Sequence, residues 1–219
     1  MPAEEQSVKS REAIFGRLRA ARQPFAGARS FAEPIPTVPR TEPDAVALEA
    51  RFVREAEKIN CVVHHPADAQ AALEAVLRLI ADDQAVLAWA PEHIPLPGLA
   101  EALAGRGITI AGAKTDGVRV GITGAAAALA ATGTLVVSTG EGRGRLASLL
   151  PDVHIAVVRR EQILPDIEAW FAHLRATDPQ VFRAASNHTL ISGPSRTGDI
   201  GGVLVLGAHG PVEVHVVLV

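Results

Sequence analysis

Along the chain, short apolar runs alternate with amphipathic ones. Cys61-Val62-Val63 reads as a strand, Ala67 to Ile80 as a helix, Ala85 to Trp89 as a strand, Leu99 to Gly105 as a helix and Ile108 to Ile110 as a strand. Strand and helix taking turns is the pattern of βαβ units on a parallel sheet. Further strands are expected at Gly117 to Ile122, Gly133 to Ser138, Val153 to Val158, Thr189 to Ser192, Val203 to Leu206 and Val212 to Val219, with a helix from Leu164 to Arg175. The pattern predicts an α/β fold, an open and mostly parallel sheet flanked by helices, with an added hairpin in the strand-dense second half. Ala125 to Ala131 stands out only as an alanine-rich run.

Upstream, residues 4 to 22 place Val8, Ile14, Phe15 and Leu18 at roughly helical spacing among charged residues, which predicts an amphipathic helix. The stretch behind it carries four prolines between Pro24 and Pro39 and suits neither helix nor strand. A helical pattern resumes over 43–59, with Val46, Leu48, Phe52, Val53 and Ile59 as its apolar positions. The expected organisation is an N-terminal helical extension and Pro-rich arm, residues 1–40, followed by an α/β domain, residues 41–219.

Composition narrows this picture. Of 219 residues, 48% are hydrophobic and 21% charged, so the chain buries a core. With six Phe, two Trp and no Tyr, that core is built from Ala, Val, Leu and Ile. A formal charge of −3 offers no basic field for nucleic acid. Cys61 is the only cysteine, which excludes a disulfide framework and any iron–sulfur or zinc site made of several cysteines. If electrons move in the system, other subunits carry them. Met1 to Arg22 is charged throughout and has no signal-peptide-like apolar stretch, and no window approaches a membrane span, so a cytosolic location is expected.

Candidate chemistry concentrates at three places. At Gly193-Pro194-Ser195-Arg196-Thr197-Gly198-Asp199-Ile200 a strand is expected to end and a short helix to begin. Loops beyond the carboxyl ends of parallel strands bind ligands, a helix start offers free N–H groups, and Arg196 adds a clamp for a carboxylate or phosphate. The same residues suit plain capping, with Ser195 or Thr197 as N-cap and Asp199 in the first turn. Gly142-Arg143-Gly144-Arg145-Leu146-Ala147 formally fits a dinucleotide fingerprint, but Pro151 leaves room for about two helical turns, so that reading fails. What remains is a loop whose Arg143 and Arg145 suit an anion, or a solvated hairpin. Glycine–threonine turns at Thr123-Gly124 and Thr132-Gly133-Thr134 permit close approach to a ligand or tight strand packing. His209 sits in a turn, where it can hydrogen-bond or act as acid or base, and Glu213 and His215 share one face of the last strand as a structural pair. No histidine spacing supports a metal site.

Taken together, "GITGAAAALAATGTLVV", "GRGRLASLLPDVHIAVV" and "ISGPSRTGDIGGVLVLGAHGPVEVHVVL" resemble the lactate-utilisation (LUD) domain family, in the block order of its C-type members. The resemblance is strong over about residues 110–219. It implies a fold similar to the NagB/RpiA/CoA-transferase group and a role, beside two iron–sulfur-containing partner proteins, in oxidising L-lactate to pyruvate. It implies no cofactor in this chain. Ala126, Ala131 and Gly201 stand where family members often carry acidic or amide side chains.

Three functions are compatible with these readings. In the first, a subunit of a lactate-oxidising system binds a small carboxylate or phosphate-bearing ligand with Gly133, Thr134, Arg143, Arg145, Gly193, Ser195, Arg196, Thr197 and His209. The second is a noncatalytic assembly or regulatory subunit that holds the iron–sulfur partners through its N-terminal arm. The third is a free-standing enzyme acting on a phosphorylated or acyl-CoA substrate.

Overall fold

The computed structural model describes residues 3–21, 44–112, 115, 117–177, 184–200, 203–207 and 209–219. The chain divides into two units, residues 1–36 and 37–219. In the first, α1 (Ala3–Ala21) is helical, as expected; its Ile14, Phe15 and Leu18 are exposed, and the Arg11 guanidinium lies 5.1 Å from the Phe15 ring centroid. The proline-rich stretch between Pro24 and Pro39 lies outside the described residues.

The second unit runs α2 (Ala45–Lys58), β1 (Cys61–His64), α3 (Ala69–Ile80), β2 (Ala85–Ala88), α4 (Leu99–Gly105), β3 (Thr109–Ile110), β4 (Val120–Thr123), β5 (Ala127–Leu129), β6 (Thr134–Thr139), β7 (Val153–Val158), β8 (Ile163–Leu164), α5 (Ile167–Thr177), β9 (Asn187–Ile191), β10 (Arg196–Ile200), β11 (Val203–Leu206) and β12 (Glu213–Leu218). Asp44, Asp68 and Asp166 start α2, α3 and α5, each accepting a backbone N–H three residues on at 2.7–2.8 Å.

Six strands form a wholly parallel sheet in the order β1-β12-β7-β4-β2-β3. β4 and β7 are buried along their full length and β12 from Val214 onward, which is why they read as largely apolar runs, interrupted by the buried His154 and His215. A second sheet, β8-β5-β6-β9, is mostly antiparallel, and β10 and β11 form the added hairpin. In the second sheet, alternate residues serve two layers. Ala128, Leu135 and Val137 join the main core, whereas Ala127, Leu129 and Val136 pack with Trp170 of α5.

Three local expectations need correction. The alanine-rich run is strand β5, because a residue buried between two layers is chosen for size, and that overrides alanine's helical propensity. β8 passes unnoticed in the sequence because it has only two residues. Arg196 to Ile200 is a strand and starts no helix: Arg196 pairs with Leu206 and Thr197 with Val205. Capping by Ser195 or Thr197 therefore does not occur.

One glycine fixes how the sheet is covered. A Cβ on Gly121, in the middle of β4, would lie 1.8 Å from the Ala147 carbonyl oxygen, so the 3₁₀ turn Arg145–Ser148 rests directly on the strand. Gly121→Ala is expected to displace that turn and lower stability by about 3 kcal/mol, the scale of overpacking against backbone. Urea unfolding of the variant measures it.

Candidate functional site

In a parallel α/β sheet, ligands collect beyond the carboxyl ends of the strands, where the order of connection reverses. Here the chain passes from β2 outward to β3, and from β4 the other way to β7 and β12, so the reversal lies between β2 and β4. The glycine–arginine loop folds over this place. The Ala90 N–H donates to the Gly142 carbonyl at 2.7 Å, and the Trp89 indole donates to the Gly144 carbonyl at 3.1 Å. Gly142, at φ +67, brings its Cα against the His93 ring, and Gly124 lies against the His93 carbonyl, so both glycines serve close packing around His93. Arg143 is partly buried here, and its Nε has no partner among the described residues. Beneath the loop, Thr123 Oγ1 and His154 Nε2 are 2.9 Å apart. Complete burial pulls the His154 pKa down to about 4, so its ring is neutral at physiological pH.

Beside this point an open cavity of about 430 Å³ is walled by Pro91, Pro95, Leu96 and Pro97 and bordered by Glu92, Glu101 and Arg159. Arg159 follows β7 directly, and among the described residues no carboxylate lies within ion-pair distance of its guanidinium. Arg160 next to it is neutralised: its Nη1 donates to Glu49, whose carboxylate also lies 3.7 Å from His65 Nδ1. Two further cavities, lined by Arg160 with Val219 and by Arg160 with His65, continue along the same edge. Among the described residues, Arg159 is thus a cation at the carboxyl edge without a carboxylate partner, at a cavity that Glu92 and Glu101 also border. Sequence reading passed over it, although "VVRR" at the end of an apolar strand was a visible signal.

The nine residues singled out from sequence divide between two places. Arg143 lies in the loop over the reversal point, and Arg145 opens the turn that rests on β4. The other seven gather around the end of α2 and the adjoining hairpin. A Cβ on Gly133 (φ +64) would lie 2.3 Å from the Ala56 nitrogen, and one on Gly193 (φ +83) would lie 2.2 Å from the Ile59 oxygen. Thr134 Oγ1 pairs with the Ser192 hydroxyl at 2.8 Å. The Arg196 guanidinium donates to the Ile59 carbonyl, the C-cap of α2. Ser195 N–H donates to Pro211 O and Gly207 N–H to Ser195 O, while His209 N–H reaches the Ser195 hydroxyl at 3.3 Å. Thr197 stands in the β10–β11 ladder.

This corrects the placement read from sequence. β9 is antiparallel to β6 in the second sheet, so its exit does not lie at the carboxyl edge of the parallel sheet. The chain leaving it runs back to the amino ends of β1 and β12, beside Ile59 and Pro211. Arg196 meets the negative end of a helix dipole, where a cation is favourable and a bound anion is not. Close by, a cavity of about 190 Å³ is lined by Thr132, Thr134 and Ser192 together with Asp166 and Glu168.

The fold and its edge define the class: an α/β protein built on a parallel sheet, with an arginine-bordered cavity at the carboxyl ends of the strands. The chain belongs to the LUD domain family, whose model matches residues 49–219. It is similar to "Lactate utilization protein C" of Exiguobacterium sp., 35% identical over 146 residues that make up 65% of this chain and 61% of that protein. The protein of the same name from Bacillus subtilis is 36% identical over 106 residues, 48% of this chain and 44% of that one. The chain thus spans about half the length of these curated relatives. Among solved structures, a DUF162 family protein from Deinococcus radiodurans superposes with a TM-score of 0.59 at 25% identity, covering 80% of this chain and 98% of that one.

Since Arg196 is exposed and serves α2, Arg196→Ala is expected to lower stability by about 1 kcal/mol, a screened helix-end contact. Urea unfolding checks the loss, and calorimetric titration with lactate or pyruvate should show unchanged affinity.

Proposed function

We propose that this chain is the non-iron–sulfur member of a cytosolic system that oxidises L-lactate to pyruvate, and that its carboxyl-edge cavity binds a small carboxylate. The observation that carries the reading is its 35–36% identity to proteins named lactate utilization protein C. Electrons pass through separate iron–sulfur proteins in this proposal. That division suits a chain whose only cysteine is Cys61, buried, with its thiol pushed up to about 11 by burial. Arg159 supplies two parallel N–H donors to the carboxylate beside the proline-rich wall.

Deleting the gene in its host is expected to abolish growth on L-lactate while sparing growth on glucose. Unimpaired growth on L-lactate would overturn the assignment. In the purified chain, Arg159→Ala should weaken lactate or pyruvate binding about 10- to 100-fold, the loss of roughly 1.5–3 kcal/mol from a charge-assisted contact.

The exposed apolar stripe of α1 favours a second role for the same chain, docking on the iron–sulfur partners. Ile14, Phe15 and Leu18 are 57%, 43% and 55% exposed on a helix otherwise rich in charge. Ile14→Asp with Leu18→Asp, in the full-length chain, should abolish co-purification of those partners. Undiminished recovery would rule out α1 as the docking element.

A further inference from the structure

His64 ends β1, and His215 lies in the adjoining strand β12, two residues after Glu213. The three side chains make one hydrogen-bonded row. Glu213 Oε2 is 3.0 Å from His215 Nε2, and His215 Nδ1 is 3.0 Å from His64 Nε2, with the two rings stacked 5.3 Å apart. A carboxylate can only accept, so His215 Nε2 carries a proton. In the neutral ring His215 Nδ1 is then an acceptor, and His64 Nε2 must donate to it. By elimination, His64 Nδ1 holds the lone pair that the row leaves over. His215 is almost fully buried, whereas His64 is half-buried at the carboxyl end of the edge strand.

We infer that Glu213, His215 and His64 form an acid–base site, in which His64 Nδ1 accepts a proton from a weakly acidic O–H or N–H group held at the carboxyl end of β1. The bond from that proton to its oxygen or nitrogen breaks, the electron pair stays on that atom, and an N–H bond forms on His64. The Nε2 proton of His64 can then pass to His215 Nδ1. This places the positive ring directly against the Glu213 carboxylate, which stabilises it. The reverse shift returns the proton.

The surroundings keep the resting state uncharged. Burial first, then the facing charges of His215, Arg78 and His65, hold His64 below its ordinary histidine range. Arg78 projects from α3 and is loosely paired with Glu74 at 4.0 Å, while His65 turns toward Glu49. Glu213 is the carboxylate hydrogen-bonded to the row, and it acts through His215.

The test is an imidazole-¹⁵N NMR titration of the full-length chain from about pH 9 to about pH 5, the range in which histidines titrate. At the alkaline end both His64 and His215 should appear as Nε2–H tautomers, and on acidification their signals should move together through a shared uptake. Glu213→Gln retains an acceptor oxygen but removes the charge, and should move that uptake about one pH unit lower. Acylation of His64 by diethyl pyrocarbonate, followed by mass spectrometry near pH 8, should slow about threefold in the same variant, as Brønsted behaviour requires of a weaker base. A His64 Nδ1–H tautomer at alkaline pH, independent titration of the two rings, or a midpoint and acylation rate indifferent to Glu213→Gln would each overturn the inference.

Discussion

β12 lies between two parallel neighbours, β1 and β7, and most of what the second unit does depends on that insertion. Every residue from Val214 to Leu218 is buried, so the strand is both the middle of the sheet and part of its core. Without it, β1 would have no sheet partner, and α2, which runs into β1 through Ile59 and Asn60, would lose its anchor. The pairing joins Cys61 to Val214 and Val62 to His215, positions far apart in the chain, and so adds to its contact order. The segment leading into β12 travels with it. Ser195, Gly207 and Pro211 exchange backbone hydrogen bonds at the amino edge, and Asp152 O accepts from both Val212 and Glu213.

Packing at that edge is backbone on backbone. Gly193 and Gly133 bring their Cα atoms against the last turn of α2, at distances where any side chain would collide with Ile59 or Ala56. A helix that ends between two glycine turns exposes its final carbonyls to little water, and these need donors. Arg196 supplies one. The polar cluster after β9 is therefore explained by the needs of a helix end: a guanidinium for the carbonyl of Ile59, and hydroxyls to fix the turns on either side.

The main sheet was legible because strands buried on both faces are apolar at most positions, and such runs, bounded by glycine and proline, stand out without any alignment. β7 and β12 are of this kind. β5 was not legible, since Ala127-Ala128-Leu129 is strand only through the layers on each side of it. β10 was misread because Ser-Arg-Thr-Gly-Asp resembles a helix start, and only pairing with β11 decides otherwise. Periodicity along a chain carries no information on sheet order. For this reason the sequence showed Glu213 and His215 on one face but could not bring His64 beside them, nor show that the loop after β9 returns to the amino edge.

The cavities differ in the charges at their borders. Near α2's end, the hydroxyl-lined cavity is bordered by Asp166 and Glu168, and the neighbouring helix terminus is itself negative. Along the carboxyl edge, Arg160 has already given its charge to Glu49, and the His64 row stays neutral until it takes up a proton. Arg159 lies exposed at the border of the proline-walled cavity, which Glu92 and Glu101 also line. Among the described residues, the arginines of this edge differ in whether the fold supplies a carboxylate: Arg160 is paired with Glu49, and no ion pair joins Arg159 to one.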